Sequence, residues 1–551
     1  MNNHYTIGLD YGSLSARGVL VNCETGVIIA ETVMEYPHGI ISHKLPAGAI
    51  LTGEWMLQHP ADYTKALEYI VPQLVKLSQV NVSCIVGIGI DFTASTIIPL
   101  DKDFQPLCLN PLYENRPHAW PKLWKHHGAH AQAKLLTELC KEMQLPYLDW
   151  YGGSISQETL IAKAIQVFQE DRDIYEIIDC FMEASDYITS LLTGRPVFGA
   201  SVATAKALWS PDHGYPSPEF FHAVDPQLIN FPLKLMDRFT GSKCLYPGEK
   251  AGTLCMQMAT KLGLKEGISV SAPQMDAYAA LPGLGIVSPG TAMMVIGTST
   301  GIMLLSDKNH HVPGVTACLP DTYYPGLYGY ASGQASVGDT FDWFIKHCVP
   351  ADYHEAASAA GISIHDYLSD LVKDLSPGDT GLIALDWFNG NRSCLANGKL
   401  SGMILGLNLN TRPEHIYRAL LEGTAFGARV ILESYEKVGI PIKDIVICGG
   451  IALKNPFMMQ IYADVLGKPI RVSRCTQAPA LGSAIYAAAA AGLGNVYQMT
   501  ERMGYTEYLH YAPDPTTQSR YERLYSEYLL LHDYFGRGKN PVMEYLSQIR
   551  K

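Results

Sequence analysis

The residues with the clearest chemical potential stand close to the start of the chain, where Asp10-Tyr11-Gly12-Ser13-Leu14-Ser15-Ala16-Arg17 lies between two apolar runs. Gly12 allows a tight turn in which backbone approaches a ligand closely. Such a turn aims N–H groups and the Ser13 and Ser15 hydroxyls at one point, which suits phosphate oxygens. Asp10, at the end of the first run, can hold a hydrated Mg²⁺ that bridges phosphates. An ordinary hairpin with a surface Asp is the plainer reading of these residues alone. A second copy weighs against it: Thr291 to Ile296 is apolar, Gly297-Thr298-Ser299-Thr300-Gly301 is a hydroxyl-rich turn, and Ile302 to Leu305 returns. Two such hairpins, one per half, suggest a divergent internal duplication.

Three further segments could do chemistry. Gly449-Gly450-Ile451-Ala452-Leu453-Lys454-Asn455-Pro456 follows an apolar run, and paired glycines let a flat ring such as adenine lie against the backbone. A plain strand-turn-helix connection is the competing reading. Asp276, in Met275-Asp276-Ala277-Tyr278, follows the strand candidate Ile268 to Ala272. A carboxylate at a strand exit can take a proton from an attacking hydroxyl during in-line phosphoryl transfer, or it can simply cap a helix. Lys206, in Ala203-Thr204-Ala205-Lys206-Ala207-Leu208-Trp209, either binds substrate hydroxyls or solvates a helix. Ala480-Leu481-Gly482-Ser483-Ala484 opens an Ala-rich helix whose small residues permit close packing against a nucleotide or a neighbouring helix.

The elements that must position these residues follow from periodicity. Three strands run from Tyr5 to Val33, and a helix with Pro60 at its start carries the apolar set Ala66, Leu67, Ile70, Val71, Leu74 and Val75. The strand Ile85 to Ile90 comes next, so the plan is an α/β layer around a mixed sheet. The second half repeats it, with the Gly297 hairpin, helices near Thr340 to Lys346 and His415 to Lys437, and the strand Ile445 to Cys448. A domain boundary is expected at Lys261 to Gly267. The Tyr- and Glu-rich end from about Pro513 reads as terminal helices packed on the second domain or at the interface of a homodimer.

Composition bounds the class. With 551 residues, 47% of them apolar and 17% charged, the chain can bury two large cores. A net charge of −12 without a dense Lys/Arg run makes nucleic acid and anionic membrane poor partners. The twelve cysteines are scattered with no Cys-x-x-Cys pair, which reads as reduced thiols of a cytoplasmic protein. His126-His127 and His310-His311 lack metal-site spacing and are read as surface histidines. No signal peptide precedes the first strand, and Ala484 to Gly492 is too short to span a bilayer.

The ordered set of the Asp10 hairpin, Asp276, the Gly297 turn, Gly333-Gln334 through Gly338-Asp339, Gly406-Leu407 through Glu422-Gly423, and Gly449-Gly450 resembles the FGGY carbohydrate kinases. Leu385-Asp386-Trp387-Phe388-Asn389-Gly390-Asn391-Arg392, Trp124-Lys125, Lys206-Ala207-Leu208-Trp209 and Lys454-Asn455 are similar to segments of the family's ribulokinase branch. The resemblance runs from the first strand to about Gly494. It implies two actin-like (ribonuclease H-like) ATPase domains with an interdomain active-site cleft. An N-terminal domain over residues 1–265 would bind sugar, a C-terminal domain over 266–512 would bind ATP, and 513–551 would be a helical tail. It implies Asp276 as catalytic base and Asp10 acting through Mg²⁺. Gly12, Ser13, Ser15, Arg17, Gly297, Thr298, Ser299, Gly449, Gly450 and Asn455 would line the ATP and phosphate side. Ala94, Lys206, Asp276 and Gln334 would meet the sugar.

The activity implied is ATP-dependent phosphorylation of a ketopentose, L-ribulose at O5 in arabinose catabolism, with another ketopentose or a pentitol as the alternative within the family. Four positions depart from the ribulokinase pattern. Ala331-Ser332 stands for Glu-Ala, Tyr278 for His, and His126 for Asp. The missing Glu is expected to touch sugar hydroxyls, so the departure bears on which sugar is preferred. A different class of reading is a nucleotide-driven machine of the actin or Hsp70 type, against which Asp276, Lys206 and the Trp387 to Arg392 run argue. A catalytically dead sensor would be expected to lose Asp10 or Asp276, and both are present.

Overall fold

Short apolar runs separated by glycine turns, alternating with amphipathic helices, fold into two sheets of the same plan. A computed structural model describes residues 4–315 and 317–549. The chain divides into two units. One runs to Val287 and takes in Leu319–Gly329 and Gln477–Thr506; the other comprises Ser288–Cys318, Tyr330–Thr476 and the chain from Glu507.

In the first unit the sheet order is Ile28–Glu35, Ser15–Asn22, Tyr5–Tyr11, Ile85–Phe92, Ser269–Ser271, Lys250–Thr253. The first three strands are antiparallel neighbours, Ile85–Phe92 runs parallel to Tyr5–Tyr11, and Ser269–Ser271 runs parallel to it in turn. The Pro60–Ser78 helix starts where His59 accepts the Ala61 N–H and Pro60 pre-sets the first turn. It buries Ala66, Leu67, Ile70, Val71 and Leu74 and ends at Gln79 with φ 55°. Another sheet face carries Gly8 and Gly89, side by side in register. A Cβ at Gly8 would lie 1.8 Å from the Ala480 carbonyl oxygen, and one at Gly89 2.0 Å from that of Ser483. These glycines let the Ala478–Ala490 helix lie directly on the strands. Gly482 of that helix meets the Asp276–Gly283 helix as closely, at 1.7 Å from the Ala279 oxygen. The small residues therefore serve helix and sheet packing within the first unit.

The second sheet repeats the order: Ala317–Pro320, Tyr328–Gln334, Thr300–Ser306, Thr291–Ile296, Asp444–Cys448, Ile470–Ser473, Tyr508–Tyr511. Thr291–Ile296 is antiparallel to its hairpin partner and parallel to Asp444–Cys448, as the corresponding strands are in the first unit. The terminal Pro515–Gly536 helix buries Tyr521, Tyr525 and Tyr528, whose rings surround Phe426 of the Pro413–Lys437 helix.

The compact units differ from the division at residue 265 expected above. Lys261 to Gly267 connects two elements of the first unit, because Ser269–Ser271 adds to its sheet beside Ile85–Phe92. The Ala478–Ala490 helix also belongs to the first unit rather than to the second. No helix among the described residues is long and apolar enough to cross a membrane, and the described cysteines are all free thiols.

Candidate active site

The first hairpin delivers its carboxylate to the end of Tyr5–Tyr11. The Gly12 N–H donates to the Ser15 oxygen at 2.9 Å, closing the turn. Asp10 is buried, with Arg17 Nη1 3.4 Å from its Oδ2. Burial raises its pKa, and the Arg17 guanidinium partly opposes that. Ser13 Oγ accepts the Trp124 indole N–H at 3.1 Å, and Ser15 is buried at the start of the return strand. The parallel register sets Asp91 directly beside Asp10. Asp91 is fully buried, and its Oδ2 accepts the Ser483 hydroxyl at 2.6 Å, while Oδ1 has no hydrogen-bond partner. Burial, then the negative charge of Asp10, holds the Asp91 carboxyl well above the usual range.

Asp276 is the first residue of its helix and accepts its neighbour's N–H, Ala277 N to Oδ1, at 2.7 Å. Burial and the adjacent Asp10 push its pKa to about 7, with Lys206 pulling the other way. A carboxylate poised there can accept a proton near neutral pH, which a surface aspartate does poorly. Lys206 ends the Ala200–Lys206 helix, 3.6 Å from Glu158. Ala94 is half-buried just past Ile85–Phe92, beside the Thr93 and Thr96 hydroxyls, which are 3.0 Å apart. The first unit thus gathers Asp10, Asp276 and Lys206, as charge interactions among them attest, and adds Asp91, Ser483 and Glu158.

In the second unit the Gly297 N–H donates to the Ser299 oxygen at 2.9 Å, and the Val337 and Gly338 N–H groups donate to the Thr298 and Gly297 oxygens. The turn is thereby fixed, with Thr298 exposed. Gly449 has φ +113°, and a Cβ there would sit 2.2 Å from the Ile296 oxygen, so only glycine fits beside the second hairpin. Gly450 opens the Gly450–Lys454 helix with nothing near its Cβ position. Asn455 caps the following helix by accepting the Met458 N–H at 2.9 Å, which occupies its side-chain oxygen.

One expectation needs correction, that of His126. Gln334 is buried and donates from Nε2 to Asp386 at 2.7 Å and to the Thr424 oxygen at 2.8 Å, which fixes its amide, while its Oε1 is left without a hydrogen-bond partner. His126 is buried, not a surface residue; its Nε2 meets Gln166 at 3.0 Å under the Trp55 ring. Burial and Lys122 lower its pKa to about 3.

The only cluster of three or more His, Cys, Asp or Glu among the described residues with metal-compatible spacing is His38, His59 and Asp62. There His59 Nδ1 accepts the Ala61 N–H and His38 Nδ1 bonds Asp62 at 2.8 Å. With Nδ1 of His59 accepting, its Nε2 carries the proton, and the cluster works as the N-terminal cap of the Pro60–Ser78 helix. Asp91 escaped notice because an Asp closing an apolar strand reads as a strand end. A usable signal was present: the two neighbouring strands share the ending Gly-x-Asp, Gly8-Leu9-Asp10 and Gly89-Ile90-Asp91.

Comparison with known proteins decides the family. The model of the FGGY family of carbohydrate kinases, N-terminal domain, matches residues 5–283, and that of the C-terminal domain matches residues 292–491. The chain belongs to the FGGY carbohydrate kinases. Relatives within this family include a ribulokinase of Shouchella clausii, 43% identical over 99% of this chain and 98% of its own, and a ribulokinase of Anoxybacillus flavithermus, 44% identical over 99% and 97%. Among solved structures, the xylulose kinase from Rhodospirillum rubrum has a TM-score of 0.78 at 22% identity, covering 96% of this chain and 98% of its own. The gluconate kinase from Lactobacillus acidophilus has a TM-score of 0.79 at 18% identity, covering 97% and 99%. These likenesses establish the two-domain actin-like kinase fold. As an FGGY kinase the protein is a phosphotransferase with an alcohol group as acceptor.

Proposed function

We propose that this FGGY kinase phosphorylates L-ribulose at O5 with Mg²⁺-ATP, in the cytoplasm, as a step of arabinose catabolism. The observation that carries the chemistry is Asp276: a half-buried carboxylate with its pKa raised to about 7, beside Asp10 and within the influence of Lys206. The ribulokinases 43–44% identical over nearly the whole chain support the substrate.

Asp276 takes the proton from the sugar's O5 hydroxyl as that oxygen attacks the γ-phosphorus; the new O5–P bond forms while the bond to the β-phosphate oxygen breaks, and ADP leaves. Lys206 and the backbone at Ala94 orient the sugar. The Gly297-Thr298-Ser299 turn and the Gly449-Gly450 pair receive ATP, with Gly12, Ser13 and Arg17 gripping the transferred phosphoryl group. Mg²⁺ prefers oxygen donors, and the Asp10 carboxylate at the end of the first strand fits that preference. Bound there, the ion would neutralise phosphate charge.

ADP release in a coupled assay with Mg²⁺-ATP tests the reading against L-ribulose, D-ribulose, D- and L-xylulose, glycerol, ribitol and arabinitol, with a no-sugar control. A preference for L-ribulose is expected. Preference for another sugar would move the substrate to another FGGY acceptor, and equal hydrolysis across the panel would contradict a sugar kinase.

A further inference from the structure

Nine consecutive residues of the Leu160–Glu170 helix, Leu160 to Phe168, are buried, and one of them is Lys163. An ammonium group out of water is unfavourable unless its donors and its charge are both met. Lys163 Nζ donates to the Ser95 oxygen at 2.8 Å and to the Leu123 oxygen at 2.9 Å. Burial lowers its pKa to about 7, and the charges of Glu158 and Glu183 oppose that. Ser95 follows Ala94 in the turn between Ile85–Phe92 and Ile97–Leu100. Leu123 precedes Trp124, whose indole N–H reaches Ser13 of the first hairpin.

The turn needs such support. Ser95 has φ +59°, a left-handed conformation that a serine keeps only where its surroundings hold it. Thr93 N–H donates to the Tyr11 oxygen at 3.0 Å, and Ala184 N–H donates to the Thr96 oxygen at 2.8 Å. Glu183 is buried and lies opposite Ile97 in an antiparallel strand pair. The Thr96 and Ser95 N–H groups stand close enough to its carboxylate to favour the charged form. None of these bonds uses the backbone of Ala94, which is half-buried.

We infer that Lys163, with Glu183 at the same turn, is a positioning residue for the sugar: it fixes the Ser95 carbonyl and thereby presents the Ala94 backbone in one conformation. A turn ordered beforehand spares the ligand the cost of ordering it. Through Leu123 the same ammonium also ties the sugar turn to the segment that reaches the phosphate hairpin. The inference deepens the sugar-kinase reading and rests on it for the ligand, whereas the state of the turn is testable with no ligand present.

The test compares full-length Lys163→Met with the wild type by hydrogen exchange and by ligand titration. Methionine keeps an unbranched apolar stem and removes the ammonium. Peptides covering 93–97 should exchange about tenfold faster, while those covering Ser15–Asn22 keep wild-type rates. Calorimetric titration with L-ribulose should show Kd raised about tenfold, and titration with a fluorescent ATP analogue should show no change. Wild-type exchange over 93–97 overturns the inference. So does a lowered Tm with unchanged sugar Kd, or an equal loss of sugar and nucleotide affinity, since a merely structural lysine would give either. Glu183→Gln keeps the shape of its side chain and should raise sugar Kd severalfold with the same selectivity; if Lys163→Met does not fold, an unchanged sugar Kd in Glu183→Gln overturns the inference. Failure of the substrate reading shows separately, as a wild type that binds no L-ribulose, and the sugar preferred in the ADP-release panel then takes its place in the titration.

Discussion

The two hairpins share a backbone plan and differ in what they place on it. In the first, the register pairs running up the strands are Gly8 with Gly89 and Asp10 with Asp91. In the second, the pairs at the same distances from the turn glycine are Met293 with Val446 and Val295 with Cys448. Small residues on the first sheet admit the Ala478–Ala490 helix to direct contact, and the acidic pair follows at the strand ends. The second sheet fills those positions with apolar bulk and keeps only the turn and the glycine pair beside it. Duplication supplies two loops able to meet phosphate; divergence leaves acid–base and cation chemistry in one of them.

Recasting the first hairpin in the image of the second should have the largest effect. Asp10→Val is expected to lower kcat by about 10³-fold, on the scale of lost electrostatic stabilisation of transferring groups, measured by ADP release with L-ribulose. The reciprocal damage is Gly449→Ala, which forces a side chain into φ +113° and against the Ile296 oxygen. Such strain costs about 1–3 kcal/mol. Titration with a fluorescent ATP analogue should show weakened nucleotide binding, while sugar binding in the first unit stays unchanged.

The acid–base asymmetry also sets a pH dependence. Because Asp276 must be ionised to accept a proton and its pKa is pushed to about 7, kcat/KM should fall about tenfold per unit below that value and level off above it. The stability sign is opposite. The folded carboxyl holds its proton more tightly than the unfolded one, so its contribution to stability is present below the ordinary carboxylate range and is lost as pH rises towards 7. Asp276→Asn should therefore raise Tm relative to the wild type more at pH 8 than at pH 5.

The smallest expected effect concerns specificity. Ala331, half-buried on Tyr328–Gln334, stands where the ribulokinase pattern has Glu. Ala331→Glu should favour L-ribulose over the other ketopentoses by severalfold in kcat/KM, the scale of one hydrogen bond to a buried hydroxyl, about 1–3 kcal/mol. An unchanged substrate ranking would remove that position from sugar selection.

Both hairpins, the Pro60–Ser78 helix and the glycine pair were legible in the sequence because their signals are local: turn glycines, a proline at a helix start, apolar spacing. The small-residue helix announced close packing but not its partner. Nothing between Ala478 and Ala490 encodes that the chain returns to the first sheet after some 200 residues in the second unit. That Asp91 stands beside Asp10 follows only from the register of their strands, and the partners of Gln334, Asp386 and Thr424, come from distant segments. His126 looked exposed because two adjacent histidines suggest a polar loop, whereas Trp55 covers it.

The central claim is that Asp276 is the base of phosphoryl transfer. Its most direct test is a single-turnover experiment with γ-³²P-ATP and L-ribulose on Asp276→Asn, with ATP binding measured on the same preparation. Retained ATP binding with phosphoryl transfer slowed by about 10²–10⁴-fold is expected for loss of a general base. Transfer at the wild-type rate would contradict it.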